Sequence, residues 1–260
     1  MGLIRIGTSG YSYREWVGPV YPTGTKSGAY LRCYTRRFAT LELNYSYYRM
    51  PTASQLAALL QKAGGSLGFS IKAHASLTHE PDRRSWETQA KTFREALKPL
   101  QEARCLEAVL FQFPYAFHYE KENRRYLAQL LAAFEELPRV VEFRNTQWYR
   151  EQVVQGLRER AVALAVVDLP PLAGLPPILE AVTAPLAYIR LHGRNQRDFW
   201  GSDRAARYDY RYSDGELASW RDRILRLQTQ ADIVLVYFNN HPKGQAAVNA
   251  QRLGELLGMG

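Results

Sequence analysis

Three carboxylates, Glu42, Glu142 and Asp168, stand in the sequence beside four cations, Arg5, Lys72, Arg144 and Arg190, two histidines, His74 and His192, and the neutral polar residues Ser9, Asn44, Gln112 and Asn239. A slight excess of cations over acids suits an anionic substrate. Arginines clamp a phosphate or carboxylate, while a carboxylate or an imidazole moves a proton. The same acids, joined by His192 and His241, could hold a divalent metal, but neighbouring cations already neutralise them and metal cages keep cations out. Metal-dependent hydrolysis or isomerisation is therefore the weaker alternative, and no cofactor is expected. Glu42 and Glu142 also have the composition of a glycosidase pair, with their separation deciding the stereochemistry. Lys72 could form a Schiff base if desolvated, yet two nearby glutamates argue for a charged ammonium.

These residues share a pattern that says how they are positioned. They close or interrupt eight short apolar runs, at 4–7, 41–44, 69–74, 109–112, 141–144, 165–168, 189–192 and 236–239, and within each run the polar residues have one parity. Successive strand residues face opposite sides, so each run reads as a strand with one oily face and one chemical face. Helical periodicity occupies 27–38, 52–63, 86–103, 121–136, 148–160, 214–230 and 244–257. Between Asp168 and Leu186, prolines leave room only for a short helix near 178–182. Alternating strands and helices over 260 residues, with no Pro/Gly/Ser-rich linker, predict a single-domain (β/α)₈ TIM-type barrel spanning 1–260. Its site would lie at the strands' C-terminal ends. On that parity Glu42, Glu142, His192 and Asp168 are the candidate catalytic residues. Ser9, Asn44, Lys72, His74, Gln112, Arg144, Arg190, Arg194, Asn239 and His241 are the candidate binding residues, with Arg144, Arg190 and Arg194 clamping the anion.

The loops after strands seven and eight, His192-Gly193-Arg194 and Asn239-Asn240-His241-Pro242-Lys243-Gly244, occupy the positions where barrels often bind phosphate. Long connections at 9–26 and 193–213 read as walls or lids over the mouth. The second of these offers a rival function, because Arg194, Arg197, Arg204 and Arg207 alternate with Trp200, Tyr208, Tyr210 and Tyr212, a composition that suits nucleic acid. Asp198, Asp203 and Asp209 dilute that charge and suit a pinned lid instead. The other aromatic rings expected at the rim are Tyr11, Tyr13, Trp16, Tyr47, Tyr48, Tyr115, Phe117 and Trp148.

A net charge of +9 favours anionic partners without choosing between a metabolite and nucleic acid. No apolar stretch approaches the ~20 residues of a membrane span, and Met1 leads directly into the first strand, so a cytoplasmic protein with no membrane partner is expected. Cys33 and Cys105 fall within expected helices and read as small buried thiols. The GxSxG, GxxxxGK, HExxH and GxGxxG motifs are absent.

Gly7-Thr8-Ser9-Gly10-Tyr11, Tyr21-Pro22, Glu42-Leu43-Asn44-Tyr45, Thr78-His79, Gln112-Phe113-Pro114, Glu142-Phe143-Arg144 with Trp148, Asp168, Arg190-Leu191-His192-Gly193-Arg194 and Asn239-Asn240-His241 follow one another in an order and spacing that resembles the domain of unknown function 72 family, the YecE-like proteins. The resemblance runs from Gly7 to about Ala250 and implies a TIM-type barrel, without implying a reaction. Two positions depart from the family's pattern: Asn145 stands where a histidine is expected, and Tyr11 where tryptophan is more usual. Asn145 can serve as neither acid nor base.

Overall fold

The computed structural model describes residues 1–65, 67–197, 199–200 and 206–259. The apolar runs form parallel strands β1 (Leu3–Ser9), β2 (Thr40–Leu43), β3 (Gly68–Lys72), β4 (Leu106–Phe113), β5 (Arg139–Phe143), β6 (Ala163–Leu164), β7 (Val166–Asp168), β8 (Leu186–Leu191) and β9 (Ile233–Phe238). They join in the order β6-β5-β4-β3-β2-β1-β9-β8-β7. β6 pairs with β5 and β7 with β8, on either side of Ala165, so the two are halves of one stave. The result is an eight-stave, nearly closed α/β barrel of TIM type, as the alternating pattern predicts.

The helices are α1 (Tyr30–Thr35), α2 (Tyr45–Tyr48), α3 (Ala53–Ala63), α4 (Ala75–Thr78), α5 (Trp86–Glu102), α6 (Lys121–Ala132), α7 (Glu151–Arg158), α8 (Asp214–Gln228) and α9 (Gln245–Leu256). Local chemistry sets where two of them begin. Thr52 with Gln55, and Ser213 with Glu216, form capping boxes that satisfy the first free N–H groups of α3 and α8. Along α8, Leu217, Trp220, Ile224 and Leu227 recur at helical spacing and are fully buried. The expected helix near 178–182 does not form, because the proline-rich segment runs without regular structure. Cys33 lies in α1, whereas Cys105 lies beyond the end of α5, in the link to β4.

Two separate apolar clusters follow from strand parity. Leu41, Phe69, Ile71, Phe111, Val141, Phe143, Ile189 and Val236 face the helices. Ala108, Leu110, Val140, Ala163, Ala165, Val167, Tyr188, Leu235 and Tyr237 fill the barrel interior. That register overturns one expectation. Val167 pairs with Arg190 and shares the interior with it, so Asp168 points outward to the helices like Leu164 and Val166.

At the opposite end of the interior from the mouth, one extra residue closes the barrel. β4 pairs Leu106 with Phe69 but Ala108 with Ser70, leaving Glu107 as a bulge. Its carboxylate takes Arg5 and Thr40, and the Tyr237 hydroxyl at 3.2 Å. Gly68 makes room for it: a Cβ there would sit 2.1 Å from the Glu107 carboxyl carbon. Arg5, though inward as expected, therefore belongs to this plug and not to the mouth.

Candidate active site

The centre of the mouth's floor is Arg190, supplied by β8 and almost wholly buried. Its Nε and Nη2 donate to Glu42 Oε2 and Oε1 at 2.8 and 2.7 Å, and its Nη1 donates to Glu142 Oε2 at 2.6 Å. Glu42 Oε2 also accepts from the Tyr188 hydroxyl at 2.8 Å. Glu142 Oε1 takes Arg144 Nε. Burial raises the Glu142 carboxyl, but Arg144, Arg190 and His192 outweigh it and hold the group well below the usual carboxylate range. Glu42 and Glu142 thus share one guanidinium, and neither is free to act as the acid of a glycosidase pair.

His192 stands next in the same network. Its Nδ1 lies 3.0 Å from Asn239 Nδ2, and its Nε2 lies 3.1 Å from Arg144 Nη2 and 3.4 Å from Glu142 Oε1. Burial first, then the Arg144 charge, lowers its pKa to about 3. The ring is neutral at pH 7 and a weak base, which fits holding Arg144 better than shuttling protons.

Above this floor the residues face open space. Tyr13, Asn44, Tyr48, Lys72, Gln112, Arg144, Arg190, Tyr208, Asn239 and His241 line a cavity of about 260 Å³. A second, of about 320 Å³, shares Tyr48, Lys72, Gln112, Arg144 and Tyr208 with it and is walled by Tyr47, His79, Tyr115, Phe199, Trp200 and Arg207. Lys72 is the chemical centre of the pair. Its Nζ donates to Gln112 Oε1 at 2.8 Å and lies 4.2 Å from the centroid of the Tyr47 ring. Burial, then Arg190, lowers its pKa to about 7 against the pull of Glu142 and Glu42. This runs against the expectation of a firmly charged lysine, because burial and the Arg190 and Arg144 charges outweigh the two acids. Asn44 Oδ1 is buried at the cavity wall without a hydrogen-bond partner. His241 stacks on Tyr13, with ring centroids 4.6 Å apart, and its Nδ1 lies 3.6 Å from Glu15 Oε1.

Four predicted site residues are elsewhere. Asp168 accepts from Arg194 Nε at 2.9 Å and from Trp220 Nε1 at 3.1 Å, and Arg194 Nη1 donates to Glu216 Oε1 at 3.0 Å. Both therefore fasten β7 and its loop to α8, so Arg194 is no anion clamp. His74 caps α4, accepting from Ser76 N at 3.2 Å. Ser9 is buried at the end of β1 and lines neither cavity. The metal set is dispersed likewise: among the described residues, no three His, Cys, Asp or Glu side chains converge on a point that would hold an ion.

The expected phosphate loops are committed too. Gly193 N donates to the Tyr212 hydroxyl at 2.9 Å and Gly244 N to the His241 carbonyl at 3.2 Å. A Cβ on Gly193, at φ +88°, would meet Tyr210 Cβ at 2.7 Å, so this glycine serves close packing. Of the expected rim aromatics, Trp16, Phe117, Trp148 and Tyr212 are core residues. In the long loop Asp209 binds Lys243 and Gln245 rather than a loop arginine, while Asp198, Asp203 and Arg204 lie outside the described residues. Asn145 caps a turn through Gln147 N at 2.9 Å, a structural use of the departed histidine position.

The sequence reading missed Tyr188 as a partner of Glu42, although its parity with Arg190 on β8 displays it. Arg207, expected as part of a nucleic-acid loop, and His79, named only among the family motifs, line the second cavity instead.

Comparison with known proteins matches residues 5–260 to the family model described as protein of unknown function DUF72. The UPF0759 protein YunF of Bacillus subtilis (strain 168) is 30% identical over 98% of this chain and 95% of its own. The solved structure of a DUF72 family protein, TM1631 from Thermotoga maritima MSB8, superposes with a TM-score of 0.92 at 33% identity, covering 98% of this chain and 99% of that one. A DUF72 family protein from Enterococcus faecalis V583 does so with a TM-score of 0.89 at 28% identity, over 99% and 96%. The order and spacing of the mouth motifs and these matches over nearly the whole length agree: the chain belongs to the DUF72 family.

Proposed function

We propose that this protein is an enzyme acting on a small anionic compound, phosphorylated or sugar-like, held at the C-terminal mouth of the barrel. One observation carries the reading: Lys72 and Arg144 both border the cavities, while Glu42 and Glu142 beneath them are held by Arg190, Glu142 also taking Arg144 Nε. Arg144 supplies a fixed positive charge to an anionic group. Asn44 and Asn239 meet hydroxyls, and Tyr48 and Tyr208 offer flat faces to a sugar ring. Lys72, poised near neutrality, takes the proton-transfer role that the sequence assigned to Glu42 or Glu142.

The test is thermal stability and calorimetric titration against ribose 5-phosphate, glucose 6-phosphate, inorganic phosphate, a single-stranded oligonucleotide and divalent ions. A small phosphorylated compound should raise the melting temperature with little salt dependence, and Arg144→Ala should abolish the shift. Stabilisation by the oligonucleotide alone, falling steeply with salt, would instead move function to Arg197, Arg207 and the exposed Trp200 of the long loop. A shift only with a divalent ion would overturn both.

A further inference from the structure

We infer that Lys72 is a carbonyl-capturing nucleophile, whose amine condenses with the aldehyde or ketone of an anionic substrate to form an imine at the mouth. The inference rests on the anionic reading above for how the substrate is held, and on independent geometry for the chemistry.

That geometry starts in the sequence after β2. Ser46 Oγ lies 2.7 Å from the Lys72 carbonyl and 3.1 Å from the Leu43 carbonyl, tying α2 across β2 and β3. The next residue, Tyr47, is thereby laid over the Lys72 ammonium. On the other side, Gln112 Nε2 donates to the Phe113 carbonyl at 2.9 Å, which turns Oε1 toward Nζ. Among the described residues no carboxylate is hydrogen-bonded to Nζ. The groups facing it are Gln112 from β4, Tyr47 from α2, Glu142 from β5 and Arg144 just after it, Arg190 from β8 and Glu42 from β2. Lys72 lines both cavities. This is a fixed, accessible amine without an acid to hold its proton, and its position near neutrality keeps much of it unprotonated.

The step balances without any co-reactant. The ammonium loses a proton, the free amine adds to the carbonyl carbon, and the resulting carbinolamine expels its oxygen as water by taking that proton back. Lysinium plus carbonyl gives iminium plus water. The iminium bears the same single positive charge as the ammonium, and its N–H can still donate to Gln112 Oε1.

The experiment is reductive trapping. Wild-type protein at pH 7 is treated with glycolaldehyde phosphate or glyoxylate and cyanoborohydride, and labelling is mapped by peptide mass. Lys72 should be modified at least about ten-fold faster than the exposed Lys62, Lys121 and Lys243, because its own pKa is lowered to about 7 and it lines the cavities that would hold the substrate. Inorganic phosphate should slow that labelling. Lys72→Arg, which keeps a cation beside Gln112, should remove it without loss of fold. Labelling of Lys72 no faster than of the exposed lysines would overturn the inference. Titration with glycerol 3-phosphate, which has no carbonyl, separates this from the anionic reading. Binding weakened by Arg144→Ala with Lys72 unlabelled would leave only that reading standing. Labelling of Lys72 without binding of glycerol 3-phosphate or phosphate would leave only the imine.

Discussion

Two arginines four residues apart each bridge two acids, and they do so on opposite sides of the same sheet. Arg190 joins Glu42 and Glu142 inside the barrel with 2% of its side chain exposed; Arg194 joins Asp168 and Glu216 outside it with 31% exposed. The inner group has no water to fall back on, so its charges are stable only together. The outer one fastens a loop to a helix that the capping box of Ser213 already starts. Identical residue types therefore do different work, a charged floor beneath a cavity in one case and a clasp in the other.

The comparison breaks most easily at Arg190. Arg190→Ala strands two buried carboxylates and should cost about 3–5 kcal/mol of unfolding free energy or prevent folding. Denaturant titration of both variants measures the contrast, since Arg194→Ala leaves one buried carboxylate that keeps Trp220 Nε1 and should cost less, about 1–3 kcal/mol. Equal losses would mean that the inner network is no more critical than the clasp.

Acid should expose the same inner network. His192 is lowered to about 3 when folded, so between its ordinary value near 6.5 and pH 3 the unfolded chain binds a proton that the folded chain does not. Stability then falls as pH falls through that window, by up to about 1.4 kcal/mol per unit. Glu142, lowered well below its ordinary value, adds a loss beginning only under that value. Stability measured from pH 7 to 5 should flatten in His192→Asn; an unchanged slope would assign the acid sensitivity elsewhere.

The smallest effect is expected at Lys72, and its sign is opposite to the usual loss on mutation. Its lowered pKa means that the unfolded chain alone is protonated between about 7 and 10.5, so stability rises with pH across that range. Below 7 the full cost of enclosing the charge remains. Lys72→Met should raise the melting temperature by a few degrees at pH 6 and by less at pH 10. A lower melting temperature at pH 6 would mean that the ammonium is a structural partner of the floor.

How much of this was legible depended on which physical rule governed each residue. Strand parity alone places Glu42, Glu142, Arg144, Arg190 and Asn239 at one mouth, because apolar strand faces leave little choice of side. It failed at Asp168, where Ala163, Ala165 and Val167 are small or apolar on both counts and only pairing with β8 decides the face. It could not say which acid each arginine takes. Counting charges made Lys72 look like an ammonium held by two glutamates, whereas those glutamates bind Arg190 and, for Glu142, Arg144 as well. The glycines at 193 and 244 were legible as turns, but not as turns whose N–H groups are already occupied.

The most direct test of the central claim, a lysine at the mouth poised near neutrality, is NMR titration of the lysine side chains labelled at Cε. One lysine resonance should titrate near pH 7 and be absent in Lys72→Arg. If no lysine resonance titrates near pH 7, the Lys72 amine is held charged and neither the proton-transfer role nor imine formation stands.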